Sequence, residues 1–116
     1  MAEIEALCEV YGNNIGIVHF DGHLDLLDST PIQGKFSHSS SIRRAIDTLG
    51  VDPKKIVQIG CRCYNYPSYY KYILEQGITE ISPREMYRDG IDAVAKKTLD
   101  IAWSGTKAVL VTIDID

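Results

Sequence analysis

Ile15-Gly16-Ile17-Val18-His19-Phe20, followed directly by Asp21-Gly22-His23-Leu24-Asp25, is the stretch on which the reading of this chain turns. Its first six residues are a short apolar run, the pattern of a strand buried on both faces of a parallel sheet. Its last five release Asp21, His23 and Asp25 at i, i+2 and i+4 from the carboxyl end of that strand. Oxygen and nitrogen donors grouped in this way suit a hard or borderline divalent cation. The plan recurs at the other end of the sequence, where the run from Ala108 to Ile113 passes into Asp114-Ile115-Asp116. Two strand ends bearing carboxylates would converge on one metal site.

Working outward, helix and strand signals alternate. Ile4, Leu7, Cys8 and Tyr11 fall at i, i+3, i+4 and i+7 and predict a helix closed at Gly12. A loop from about Asp25 to His38 leads to Ser39-Ser40-Ser41, whose hydroxyls are placed to cap a helix with the stripe Ile42, Ala45, Ile46 and Leu49. Ile56 to Gly60 reads as a second buried strand. Pro67 opens a helix carrying Tyr70, Ile73 and Leu74 and ending at Gly77, and Ile78 to Ile81 is a brief third strand. Ser82-Pro83-Arg84-Glu85 is a capping box with proline at the first helical position. Ile91, Val94, Ala95, Thr98, Leu99 and Ala102 then form the longest amphipathic stripe before the last strand.

The fold class is therefore α/β: three layers, a mostly parallel sheet with helices on both faces, joined by right-handed crossovers. With the strands numbered one to four in sequence, the carboxylates meet only if strands one and four are neighbours or nearly so. The order 4-1-2-3 achieves this and opens a crevice at a topological switch point, where α/β sheets place ligands.

Composition narrows the function classes. The 116 residues are 45% hydrophobic with a formal net charge of -4, enough apolar surface for one core and no signature of disorder. Arg43-Arg44, Lys54-Lys55 and Lys96-Lys97 are scattered beside apolar periodicity, which argues against a nucleic-acid track. No stretch approaches the roughly 18 apolar residues of a membrane span, and no signal-peptide pattern opens the chain, so a cytoplasmic location follows by default. Cys8, Cys61 and Cys63 read as reduced thiols, with no second pair to complete a thiolate metal shell.

Four carboxylates in one crevice would repel one another unless divalent charge neutralised them. Two cations about 3.5 to 4 Å apart would do so and would favour metal-assisted hydrolysis. An imidazole among oxygens favours manganese, iron or another first-row ion over calcium. Plainer readings compete residue by residue. Asp114 and Asp116 alone would be helix caps or Asx-turns. His19 shares strand parity with Asp21 but lies inside the strand, as a hydrogen-bonded core histidine would. His38 reads as a surface-loop residue, and the tyrosines, including Tyr64, Tyr66, Tyr69 and Tyr70, read as packing groups.

These residues resemble a known family. Val18-His19-Phe20-Asp21-Gly22-His23-Leu24-Asp25 is similar to the Asp-Ala-His-x-Asp signature of the ureohydrolases, the arginase, agmatinase and formimidoylglutamase group. Ser37-His38 with Ile42-Arg43-Arg44-Ala45 resembles the group's Ser-His-Gly-Thr-Pro-Phe-Arg-Arg-Ala segment, and Gln58-Ile59-Gly60-Cys61-Arg62 its Gly-Ile-Arg strand. Thr112-Ile113-Asp114-Ile115-Asp116 resembles the start of Ser-x-Asp-x-Asp-x-x-Asp-Pro. The resemblance implies a hydrolase with two Mn2+ ions acting on a small guanidino substrate and releasing urea or an analogous amide, with a homo-oligomer among the possible assemblies. It implies that Asp21 and Asp114 bridge the ions, that Asp25 binds one and orients the attacking hydroxide, and that His23 and Asp116 bind the other. His38 matches the histidine that passes a proton to the leaving amine.

Departures from the pattern carry their own expectations. Gly22 stands for alanine, and Ser39-Ser40-Ser41 for Gly-Thr-Pro. Leu27 occupies the position where arginases place a polar residue that reads the amino-acid end of the substrate, which favours agmatine over arginine. The family's Gly-Gly-Asp-His-Ser segment would precede the first helix and its Asp-Pro continuation would follow Asp116. Residues 1–116 are therefore expected to form a single, partial arginase-like domain that binds the second ion weakly and turns over little substrate. A metal-binding remnant without catalysis and a receiver-like signalling module are the alternatives, the latter lacking a phosphoacceptor after a middle strand and a lysine after the last.

Overall fold

The computed structural model describes residues 1–63 and 66–115. Strands β1 (Ile15–Phe20), β2 (Ile56–Ile59), β3 (Thr79–Ile81) and β4 (Ala108–Ile113) form one parallel sheet in the order β3-β2-β1-β4, the expected order read from the opposite edge. Helices α1 (Ala2–Tyr11), α2 (Ser41–Asp47), α3 (Pro67–Gln76), α4 (Pro83–Asp89) and α5 (Ile91–Ala102) connect and flank the strands.

Side chains alternate across the sheet, and this sorts the core into two halves. Ile15, Ile17 and Ile56 project to one face, where Ile4 of α1, Ile42 and Ala45 of α2 and Ile73 of α3 cover them. Val18, Val57, Ile59 and Ile81 project to the other, beneath Val94 and Ala102 of α5 and the partly buried Met86 of α4. Complete burial of one such isoleucine contributes about 1.5–3 kcal/mol, which favours this register over a one-residue slip. The same parity carries His19 and Asp21 to the first face. It carries Thr112, which pairs with His19 in the register between β1 and β4, to that face too.

Local signals explain the element ends. Gly77 closes α3 in the left-handed region at φ 78°, and the Ser82 hydroxyl accepts the Glu85 N–H at 3.2 Å to open α4. Gly16 answers a close approach instead: a Cβ there would lie 2.2 Å from the Ala102 carbonyl oxygen, so the end of α5 rests directly on β1.

The structure also corrects some boundaries. Ser39 to Ser41 do not cap α2 through their hydroxyls. Ser37 and Ser40 instead close a capping box around a single 3-10 turn, His38–Ser40, ahead of it. β3 starts at Thr79 rather than Ile78. The stripe of α5 is only half used: Val94, Thr98 and Ala102 are buried, while Ile91, Leu99 and the neighbouring Val111 of β4 remain exposed around an apolar groove. β4 lies at the sheet edge with its outer residues half-exposed. No helix among the described residues is long and apolar enough to cross a membrane.

Candidate metal centre

β1 ends beside the ends of β2 and β4, and backbone bonds fix how the chain leaves the sheet. The Asp21 N–H donates to the Ile59 carbonyl at 3.1 Å, and the Asp114 N–H to the Phe20 carbonyl at 2.8 Å. Gly22 accepts from the N–H groups of Arg62 and Cys63 at 2.9 and 3.1 Å. A Cβ on Gly22 would meet only the mobile end of Arg62 at 3.3 Å, so the family's alanine would fit after a small adjustment. These contacts stack the three strand exits into one platform.

Asp21, His23, Asp25, His38, Ser39 and Asp114 line a cavity of about 200 Å3 on that platform. Five of the six sequence-predicted site residues therefore share one cavity, and the sixth, Asp116, lies outside the described residues, as does Tyr64. Asp21 is buried. Its Oδ1 accepts the His23 N–H at 2.7 Å and faces His23 Nδ1 at 3.2 Å, while its Oδ2 faces His19 Nε2 at 3.2 Å. Asp21 thus closes an Asx-turn with His23 while converging on the cavity.

Asp25 sits in the left-handed region at φ 53°, a strained conformation for a side-chain-bearing residue. Its surroundings hold it there: the Asp25 carbonyl accepts the Arg43 N–H at 3.2 Å, and Oδ2 accepts the Ser41 hydroxyl at 2.8 Å. Burial pushes the Asp25 carboxyl above the usual range, against the opposing pull of Ser41. Burial likewise lowers His19, outweighing the nearby carboxylates of Asp25, Asp21 and Asp114.

The loop between Asp25 and His38 is anchored from α2. Arg44, almost wholly buried, places Nη2 at 2.6 Å from Asp28 Oδ1, and the Leu27 N–H donates to the Ser39 carbonyl at 3.0 Å. His38 is exposed at the cavity rim, at the start of the 3-10 turn.

This donor set fits a divalent cation. One ligand atom each from His19, Asp21 and Asp25 lie within 4.8 Å of one another, and the partly buried Asp25 carboxylate would gain from adjacent positive charge. Cys61, whose buried thiol is pushed up to about 11, is no candidate thiolate ligand. His19 lies buried in its strand beside Gln58, as a core histidine would, while the sequence reading offered Ser41 only as a helix cap and gave Gln58 no role of its own. The signal for Gln58 was present in an amide standing inside the otherwise apolar strand Ile56-Val57-Gln58-Ile59.

Comparison with known proteins gives a consistent result. The model of the arginase family matches residues 1–116. The mitochondrial agmatinase of Gallus gallus is 30% identical over 114 residues, covering 97% of this chain and 32% of the relative. Guanidinopropionase of Pseudomonas aeruginosa is 31% identical over 102 residues, covering 87% and 32%. The structure of proclavaminate amidino hydrolase from Streptomyces clavuligerus superposes with a TM-score of 0.81 at 26% identity, covering 97% of this chain and 36% of that one. The chain spans about a third of the length of the curated relatives it matches. A family match over every residue, a parallel sheet in the expected order and acidic strand ends gathered at its carboxyl edge lead to one assignment: this chain belongs to the arginase family.

Proposed function

We propose that this sequence forms the central part of a binuclear manganese hydrolase that releases urea from a decarboxylated guanidino compound of the agmatine type. The observation that carries the reading is the gathering of Asp21, His23, Asp25, His38 and Asp114 around one small cavity at the carboxyl edge of the sheet.

In this reading Asp21, Asp25, Asp114 and His23, with Asp116, would hold the two ions. Two such ions supply Lewis acidity and make hydroxide available near neutral pH. The protein's own groups do the rest. Ser41 restrains the Asp25 carboxylate through its hydroxyl, so that one oxygen keeps a fixed direction. His38, exposed at the cavity rim, would hand a proton to the departing amine. Leu27, half-buried beside the Ser39 carbonyl, offers no donor for a substrate carboxylate, which favours a substrate without one.

Urea release by the manganese-loaded gene product, with agmatine, arginine and guanidinobutyrate offered in parallel, tests the proposal. Agmatine is expected to be preferred, and His38→Asn to lower kcat more than KM. Absence of urea from every guanidino compound, in protein that retains manganese, would refute the catalytic reading. Preference for arginine would refute the role given to Leu27.

A further inference from the structure

His19 and Gln58 lie under the cavity with no part in the chemistry above. They are register partners on β1 and β2, both project to the first face, and both are almost wholly buried. Gln58 Nε2 donates to the Leu24 carbonyl at 2.5 Å. That contact fixes which way round the amide sits, because the reversed amide would press its oxygen against the Leu24 oxygen. The same nitrogen lies 3.4 Å from His19 Nδ1. With the amide so oriented, its second N–H points at His19, and Nδ1 must accept. The imidazole proton then belongs on Nε2, which lies 3.2 Å from Asp21 Oδ2.

The price is paid at Gln58 Oε1, which is buried and has no hydrogen-bond partner among the described residues. An orphaned buried carbonyl is unfavourable, so the amide is committed to its two donor contacts rather than balanced between alternatives. Both ends of the chain of contacts lie in one loop: Leu24 and Asp21 flank His23. The loop's backbone thus sets the direction of its own buried carboxylate through two side chains.

We propose that Gln58 and His19 are positioning residues: the relay Leu24 C=O, Gln58, His19 holds the neutral Nε2–H tautomer of His19 against Asp21 Oδ2 and so turns the Asp21 carboxylate toward the ions. This inference rests on the reading of Asp21 as a metal ligand. In this tautomer the cavity-side nitrogen of His19 carries the proton and faces Asp21, so the relay uses His19 to orient a ligand, although one of its nitrogens lies within 4.8 Å of the ligand atoms of Asp21 and Asp25. Outer contacts of this kind commonly change metal affinity about 10–100-fold when removed.

Two measurements on this chain test the relay. The first is the tautomer of His19 in metal-free protein, read from long-range proton–nitrogen correlation spectra of 15N-labelled chain above the titration range of histidine. The Nε2–H form is expected, and the Nδ1–H form would overturn the proposal. The second is manganese affinity by titration calorimetry, with far-ultraviolet circular dichroism and urea midpoints checking the fold of each variant. His19→Leu is expected to bind about 10–100-fold more weakly. His19→Gln, which restores an N–H near the position of Nε2, is expected to recover most of the loss, and Gln58→Glu to shift His19 to the Nδ1–H form and weaken binding. A folded His19→Leu variant with unchanged affinity would overturn the relay, as would failure of His19→Gln to recover binding, which would mark the imidazole as a ligand. If wild-type chain with the Nε2–H tautomer takes up no manganese, it is the metal reading of the site that falls.

Discussion

Replacing Gly16 with alanine should destabilise the fold while leaving the candidate metal centre intact. The added Cβ would lie 2.2 Å from the Ala102 oxygen and 2.8 Å from its carbonyl carbon. Both atoms are backbone, so no side chain can swing aside, and the end of α5 must retreat by about 1 Å to reach a normal contact. A gap of that size forfeits roughly a quarter to a half of the dispersion energy of each separated pair. The pairs at stake include Ala102 and Val94 against Val18 and Val57, all buried. Overpacking of this kind costs about 1–3 kcal/mol, offset by about 0.4–1 kcal/mol from the stiffer unfolded chain, for a net loss near 1–2 kcal/mol. With a urea slope of about 1–3 kcal/mol/M, the unfolding midpoint should fall by roughly 0.3–2 M. Gly16 lies five residues before Asp21, about 16 Å along the strand, so manganese affinity of the folded variant should stay within a few-fold of wild type. An unchanged or raised midpoint would refute the seating of α5 on β1. A large loss of affinity in the folded fraction would refute the separation of the two ends of the sheet.

Two further substitutions probe the cavity loop. Burial raises Asp25 and the Ser41 hydroxyl restrains it, so Ser41→Ala should let its pKa climb further. Because protons compete with the ion for that carboxylate, manganese release on acidification should begin at higher pH in the variant. The lost hydrogen bond of about 1.5 kcal/mol corresponds to roughly tenfold in affinity where Asp25 titrates, and superimposable release curves would contradict the assignment. For Asp28, the Arg44 guanidinium holds the carboxyl below its usual range. Its contribution is therefore present above the unfolded-state pKa and is lost as pH falls through the folded-state value. Asp28→Asn should lower the urea midpoint at neutral pH, leaving Arg44, among the described residues, the longer 3.5 Å ion pair to Asp47, and the two proteins should converge in acid. A constant difference across pH would argue that the ion pair is not the cause.

Much of the fold was legible because the apolar positions obey two different periods. Ile15, Ile17, Val18 and Phe20 could be assigned to a strand without knowing their partners, and Pro67, Ser82 and Pro83 marked helix starts by stereochemistry that acts within a few residues. The order of the strands was legible for a different reason: Asp21 and Asp114 had to meet. What sequence could not supply was the choice among equivalent local options. Ser39, Ser40 and Ser41 were interchangeable as caps on paper. In the structure Ser40 turns back to the Lys35 and Ser37 carbonyls at 2.9 Å, and Ser41 is drawn to Asp25, since a hydroxyl gains more from a carboxylate than from a helix-end N–H. Likewise the stripe of α5 promised a buried face, but β4 presents Val111 at the sheet edge, and a helix buries only the positions that have something beneath them.

The site divides in the same way between what parity fixes and what tertiary contact fixes. Strand alternation dictates that His19, Asp21, Thr112 and Asp114 share a face once β1 and β4 are neighbours, so convergence of the carboxylates needs only the sheet order. It does not dictate where a carboxylate points. That depends on contacts between residues far apart in sequence: Ser41 with Asp25, and Gln58 with both His19 and Leu24. Gln58 in particular is a polar residue that a stability argument alone would disfavour at its position, with an unpaired buried oxygen among the described residues. Its presence makes sense if orientation of Asp21 and Asp25 is the quantity being held, because an ion bound by several carboxylates tolerates little rotation of any one of them. The residues least explained by folding are then the ones that adjust the ligands, which is why ion affinity, rather than stability, is the measurement that separates them from the rest of the core.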